Sequence, residues 1–192
     1  MPPAGSLCRM DTASERLGRV GLVARFKPVH VGHAAMIESI VARADTVRLG
    51  IGSSNKYDVQ NPFTAAESAE MISLVPGGAS CDLVEVPDLG NGPRWREMVK
   101  GLFGPLDLFV TANDYVRSLL EDDYPIAHPS SIVPRELHVA VDGTMVRRAM
   151  ARGDDWQAMV TPKVARYLID RGLVDRFRRE FGLATLALDA TE

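Results

Sequence analysis

Cysteine is nearly absent from this 192-residue chain: Cys8 and Cys81 stand alone and far apart. That excludes a disulfide framework and a cysteine-rich zinc site, and a reducing, cytoplasmic setting is expected. No apolar run approaches the roughly 18 to 20 residues that a membrane span needs. The opening stretch, MPPAGSLCRMDTASERLG, lacks the apolar core of a secretory signal. An excess of basic charge is lacking too. The formal net charge is −3, which argues against broad binding to nucleic acid. Histidine is scarce, with 4 in all, so two of them three positions apart stand out. The chain has no internal repeat and no low-complexity segment.

What is present is an ordinary globular composition. Hydrophobic residues make up 46% of the chain, enough for a full core. Apolar runs alternate with helical periodicities. Residues 19–26 read as a buried strand, and HAAMIESIVARA carries apolar residues at helical spacing. TVRLGIGSS is a second strand. TAAESAEMISLV is a helix that Thr64 caps, with Glu67 three residues on as a capping box. DLVEVPDL, LDLFVTA and ELHVAV supply the third, fourth and fifth strands. RWREMVKGLF and DYVRSLLEDD are helices between them, and GTMVRRAMARG, TPKVARYLIDRG and LVDRFRREFG make a helical C-terminal segment. This order predicts an α/β fold: a doubly wound, five-stranded parallel sheet with helices on both faces. One domain is expected over residues 18–183, between flexible tails at 1–17 and 184–192. Ligands in such folds bind at the carboxyl ends of the strands, at the topological switch point.

RFKPVHVGH, residues 25–33, lies at the end of the first strand, where such a site is expected. A metal would need more than this stretch offers. Zinc takes three or four ligands, and two histidines on one helix face are better placed four apart. His128 and His138 are far along the chain, and no acidic cluster sits beside the pair. Without a ligand, the two are incidental, hydrogen-bonded histidines. A phosphate chain accounts for more of the pattern. Gly32 lets the backbone come close to a ligand. His33 opens a helix, whose free N–H groups and dipole favour an anion. Arg25, Lys27 and the two imidazoles add donors.

The pattern Arg-Phe-x-Pro-x-His-x-Gly-His resembles the archaeal-type nicotinamide-nucleotide adenylyltransferases, within the Rossmann-like nucleotidyltransferase superfamily marked by His-x-Gly-His. Three more stretches resemble that family's segments, in order: NPFTAAESAEMI, DLGNGPRW with FGPLDLFVTANDYVRSLL, and DGTMVRRAMARGDDW. The resemblance covers about residues 19 to 181. Five positions depart from the family pattern. Ala24 replaces a glycine, Lys27 a glutamine, Gln60 an arginine, Gly92 an asparagine and Asp142 a serine.

The resemblance implies transfer of the AMP moiety of ATP to nicotinamide mononucleotide, giving NAD and pyrophosphate by direct in-line attack. A phosphate monoester has a second pKa of about 6, so the acceptor is already ionised and no general base is required. The work left to the protein is alignment and absorption of charge on the departing pyrophosphate. The implied catalytic residues are His30, His33 and Arg147. The implied nucleotide-binding set is Arg25, Phe26, Lys27, Gly32, Asn113, Asp142, Gly143, Thr144 and Val146. Trp95, Asn61 and Ser53 fall to the acceptor side. Mg2+ is expected to bridge nucleotide phosphates, with no metal site built from the protein alone, and a homo-oligomer is expected.

Several residues keep a plainer alternative. Arg147 could be a solvated helix arginine, as Arg148 beside it could. Asn113 could simply form a turn. Trp95 could stack a pyridinium ring, worth about 1 to 2 kcal/mol, or pack its helix on Met98, Val99 and Leu102. Trp156 reads as structural, Tyr57 and Phe63 as loop packing, and Lys163, Arg166, Arg171, Arg176, Arg178 and Arg179 as solvated helix faces. Two other activities fit the motifs: a cytidylyltransferase taking CTP and a small phosphate or phosphonate, and a non-catalytic nucleotide-binding regulatory module.

Overall fold

The computed structural model describes residues 16–189. Five parallel strands form one sheet in the order β3-β2-β1-β4-β5. They are β1 (Gly18–Ala24), β2 (Ala44–Gly52), β3 (Asp82–Val86), β4 (Leu108–Val110) and β5 (Ile126–Ala127). Helices α1 (Val31–Val41), α2 (Ala65–Ser73), α3 (Gly92–Phe103) and α4 (Asp114–Leu120) alternate with them. The C-terminal segment holds α5 (Gly143–Arg152), α6 (Pro162–Asp170), α7 (Leu173–Phe177), a wider π turn (Arg178–Gly182) and α8 (Leu183–Asp189). The chain builds outward from β1 to β3, then returns to lay β4 on the free side of β1. A crevice therefore opens where β1 and β4 end.

Each face of the sheet has its own apolar layer. Val20 and Leu22 of β1 join Leu49 and Ile51 of β2, and Ile37, Met71, Val146 and Val164 cover them from α1, α2, α5 and α6. On the opposite face Val86, Val99, Phe103, Phe109, Leu120 and Tyr124 pack together. Each such side chain contributes about 1.5–3 kcal/mol when fully buried. Phe103 reaches the sheet because Gly21 and Gly50 carry no side chain. A Cβ on either would stand 2.8 or 3.0 Å from carbons of the Phe103 ring.

The capping box of α2 forms as expected: the Thr64 N–H donates to Glu67 Oε2 at 2.9 Å, and the Glu67 N–H to Thr64 Oγ1 at 3.2 Å. Arg176 departs from its expected solvated position. It bonds Glu67 at 2.6 Å and the Pro62 carbonyl at 3.1 Å, so α7 is tied to the start of α2. The fifth strand is not ELHVAV. Residues Arg135–Leu137 form a single 3-10 turn, and 138–142 run without a sheet partner. The two-residue β5 pairs with Phe109 and Val110 instead, and Pro129 opens the turn that follows it. Residues 1–15 of the expected N-terminal tail lie outside the described residues. Arg16 pairs with Asp45, and the Leu17 N–H donates to the Arg43 carbonyl at 3.0 Å. The expected C-terminal tail begins inside α8, where Thr185 is buried. Among the described residues no helix is long and apolar enough to cross a membrane.

Candidate active site

Past the end of β1 the chain turns through Phe26, at φ +54°, before α1 begins. His30 is the cap of α1, with extended backbone. Its Nδ1 accepts the His33 N–H at 3.4 Å, and His33 Nδ1 accepts the His30 N–H at 3.4 Å. This is the reciprocal arrangement of a capping box, made here by two imidazoles rather than by Ser/Thr and Glu. The rings lie 3.7 Å apart, and His33 also rests on the Phe26 ring at 4.7 Å. A neutral imidazole that accepts at Nδ1 carries its proton on Nε2. Burial lowers the His30 pKa to about 4, against a smaller upward pull from Asp142. Burial, and then the neighbouring His30, hold His33 well below the ordinary imidazole range. Both rings are thus neutral donors at physiological pH. They offer hydrogen bonds to an anion without giving up a proton to it.

A cleft of about 1130 Å³ opens beside the pair. One wall is the end of β1 and the first turn of α1. The second is Val110–Asn113 at the end of β4, and the third is the segment Leu137–Asp142. That segment ends in Asp142, whose Oδ1 accepts the Met145 N–H at 2.8 Å and so caps α5. The first turns of α1 and α5 meet here. A Cβ on Gly32 would stand 3.4 Å from the Val141 carbonyl oxygen, and one on Gly143 would stand 3.5 Å from the Lys27 carbonyl oxygen. Arg147 is buried behind this junction. Its Nη1 donates to the Lys27 carbonyl at 3.0 Å and its Nη2 to Thr144 Oγ1 at 3.1 Å. Burial, then the like charge of Arg25, lower its pKa to about 10, so it stays charged at neutral pH. A guanidinium has five N–H donors, and these two contacts leave others for a ligand.

Two smaller cavities follow, the first adjoining the cleft and the second adjoining the first. One, about 250 Å³, is lined by Arg25, Ser53, Asp88, Trp95 and Asn113 among others. It shares Arg25 and Asn113 with the large cleft. The other, about 210 Å³, lies between Gly92, Trp95 and Tyr115. A side chain at 92 would displace Tyr115, whose hydroxyl lies 2.2 Å from the Cβ position. Trp95 has both of its expected characters. It packs against the Val99 and Phe103 cluster and also lines both cavities.

The sequence-predicted residues thus divide by position. His30, His33, Gly32, Arg25, Asn113 and Asp142 line the large cleft. Gly143, Thr144 and Arg147 do not line it but follow directly on Asp142, packed against the Lys27 backbone. Trp95 and Ser53 line the adjoining cavity. Asn113 also caps α4, its Oδ1 accepting the Val116 N–H at 3.0 Å. Four side chains point elsewhere. Phe26 and Val146 are 0% exposed and belong to the core, since each carries apolar surface with no polar tip. Asn61 Nδ2 donates to Asp58 Oδ1 at 2.9 Å inside its own turn. Lys27 Nζ donates to the Ser53 carbonyl at 2.9 Å and does not line the cleft. Arg25 Nη1 reaches Gln60 Oε1 at 3.4 Å. Trp156 and Phe63 are buried as expected, and the half-exposed Tyr57 packs edge-on against Phe181 at 5.2 Å, with its hydroxyl 2.5 Å from Glu180 Oε2.

His138 is the cleft residue that the sequence passed over as remote. The ring lines the large cleft, with Nε2 2.8 Å from the Val133 carbonyl oxygen. No local signal marks it, because only the return of the chain along the strand ends brings it there.

Residues 22–133 match the cytidylyltransferase-like family. A nicotinamide-nucleotide adenylyltransferase of Methanosphaerula palustris is 30% identical over 86% of this chain and 99% of its own length. The protein of the same name from Picrophilus torridus is 33% identical over 83% of this chain and 95% of its own. Among solved structures, a bifunctional NMN adenylyltransferase/ADP ribose pyrophosphatase of Francisella tularensis, complexed with AMP and a Mn ion, superposes with a TM-score of 0.64. It shares 15% identity and is covered over 52% of its length by 85% of this chain. The nicotinic acid mononucleotide adenylyltransferase of Plasmodium falciparum gives 0.54 at 10% identity, over 83% of this chain and 98% of that one. The two structures share the fold with this chain.

Proposed function

We propose, on the premise that this chain belongs to the cytidylyltransferase-like family alongside the archaeal nicotinamide-nucleotide adenylyltransferases, that it joins ATP and nicotinamide mononucleotide to give NAD and pyrophosphate. The observation that carries this reading is a nucleotide-sized cleft lined by two neutral imidazoles of α1, with the buried Arg147 guanidinium of α5 bonded to the Lys27 carbonyl just ahead of that helix. In the reaction, a phosphate oxygen of the acceptor attacks the α-phosphorus of ATP. That P–O bond forms as the bond from the α-phosphorus to the bridging oxygen breaks, and the electron pair leaves with pyrophosphate. His30 and His33 donate through Nε2–H to phosphate oxygens, and Arg147 takes charge that builds on the leaving group. The first-turn N–H groups of Gly143 and Thr144, which helix geometry leaves without intrahelical acceptors, supply further donors. Arg25 and Asn113 stand where the large cleft meets the smaller cavity. In this reading they hold the two substrates in line. Trp95 faces the acceptor ring.

Mg2+ is the cofactor in this reading. Among the described residues no group of three or more His, Cys, Asp and Glu converges, and Asp142 is the one carboxylate on the large cleft. That donor set fits an ion held mainly by phosphate oxygens and water. Bound there, it would neutralise charge on the phosphate chain. We assign no nucleic-acid or membrane partner. A homo-oligomer is the assembly in this reading, and sedimentation of the full chain checks it.

The test is to incubate the protein with ATP or CTP, Mg2+ and a panel of phosphorylated acceptors. NAD and pyrophosphate are expected from ATP with nicotinamide mononucleotide. Turnover with CTP alone would replace this reading by cytidylyl transfer, and tight nucleotide binding with no turnover would replace it by a regulatory role.

A further inference from the structure

Lys27 is a buried cation that the chemistry above does not use. The residue is 2% exposed. A lysine ordinarily keeps its ammonium in water and buries only its stem, and taking that charge out of solvent is costly without a partner. Its direct bond is to a neutral group, the Ser53 carbonyl, at 2.9 Å. Burial lowers its pKa, with Asp58 pulling the other way.

Ser53 is itself unusual. It follows β2 with φ +47°, a left-handed conformation that residues with a Cβ seldom adopt. Its carbonyl accepts twice, from Lys27 Nζ and from the Lys56 N–H at 3.1 Å. Ser53 also lines the cavity that Trp95 and Asp88 share. The other end of Lys27 matters equally: its backbone carbonyl receives Arg147 Nη1 at 3.0 Å. One residue is thus bonded to both substrate sides, through its backbone to the phosphate corner and through its side chain to the wall of the acceptor cavity.

We propose that Lys27 is a positioning residue: its ammonium holds Ser53, and with it the start of the β2–α2 loop, at the separation from the Arg147 corner that in-line transfer needs. The role rests on the reading of the site as a nucleotidyltransferase centre. Lys27 touches neither substrate and acts through Ser53.

Lys27→Met keeps the length of the stem and removes the donor, while leaving the backbone carbonyl that Arg147 uses. The expected result is a rise of about tenfold in KM for the acceptor, the scale of one charge-assisted hydrogen bond, with KM for ATP unchanged. Amide hydrogen exchange is expected to quicken over residues 53–57 and to stay constant in α5. That second readout needs no turnover, so it remains decisive even if the wild-type chain makes no NAD. Lys27→Leu, which also lacks the donor, carries the same readouts if the methionine variant does not fold. The proposal is overturned if both Michaelis constants rise together with a fall in thermal midpoint, or if exchange over 53–57 is unchanged.

Discussion

Replacing His33 by alanine removes two interactions whose sizes differ greatly, and the difference makes the substitution informative. The first is structural. His33 Nδ1 accepts the His30 N–H at 3.4 Å, one half of the cap on α1. Losing a capping contact costs about 1 kcal/mol, a fall in thermal midpoint of roughly 2–4 °C for a chain of this size. The second is the Nε2–H donor at the cleft. Removing one donor to a charge-developing oxygen lowers turnover roughly 100- to 1000-fold, about 2.7–4 kcal/mol. Pyrophosphate release and thermal unfolding measured on the same preparation separate the two. His33→Asn is the companion variant, because its side-chain oxygen can still accept the His30 N–H but its amide falls short of the Nε2 position. The expected pattern is a small stability change for the alanine variant, a smaller one for asparagine, and a deep loss of turnover in both. Turnover within threefold of wild type, alongside the expected melting shift, would refute the catalytic role and leave the histidines as a helix cap.

The two rings also make stability depend on pH. The folded His30 pKa is about 4 against the ordinary 6.5, so between those values the unfolded chain binds the proton and the folded chain does not. Stability is complete above pH 6.5 and is lost as pH falls toward 4, by about 3 kcal/mol. Denaturant melts across that range should show this slope in the wild type and a shallower one in His30→Asn, which still caps but does not titrate. Arg147→Lys keeps the charge and loses the planar fork. kcat/KM for ATP should fall by about 10- to 100-fold, and an unchanged value would remove Arg147 from the phosphate corner. Trp95→Ala should raise KM for the acceptor about 5- to 30-fold, the loss of 1–2 kcal/mol of stacking. An effect confined to ATP would move this tryptophan to the other substrate.

The parts of this molecule that were legible in its sequence are those encoded locally. Alternating strand and helix periods yield a parallel sheet, and Thr64 with Glu67 marks a helix start that forms as written. The His30–His33 stretch announces a strand end and a helix start within nine residues. The misplaced fifth strand shows the limit of period-2 reading. HVAV alternates weakly enough to pass for a strand, whereas the true β5 is two residues long and too short to carry any period. Lys27 shows a second limit. A four-carbon stem can swing either way, and only the position of Ser53, 26 residues on, decides that it turns from the cleft. Arg176 fails for the same reason over a longer span, because its partner Glu67 lies 109 residues away.

The contact between Arg147 and the Lys27 carbonyl joins positions 120 residues apart, while the stretch matching the family ends at 133. A fragment cut at that boundary would carry all five strands and the imidazole pair but lack the guanidinium, and with it the helices whose Val146 and Val164 cover one face of the sheet. On the ribosome the Arg147 contact is therefore the last feature of the site to exist, since it waits for the chain to come back over its own beginning.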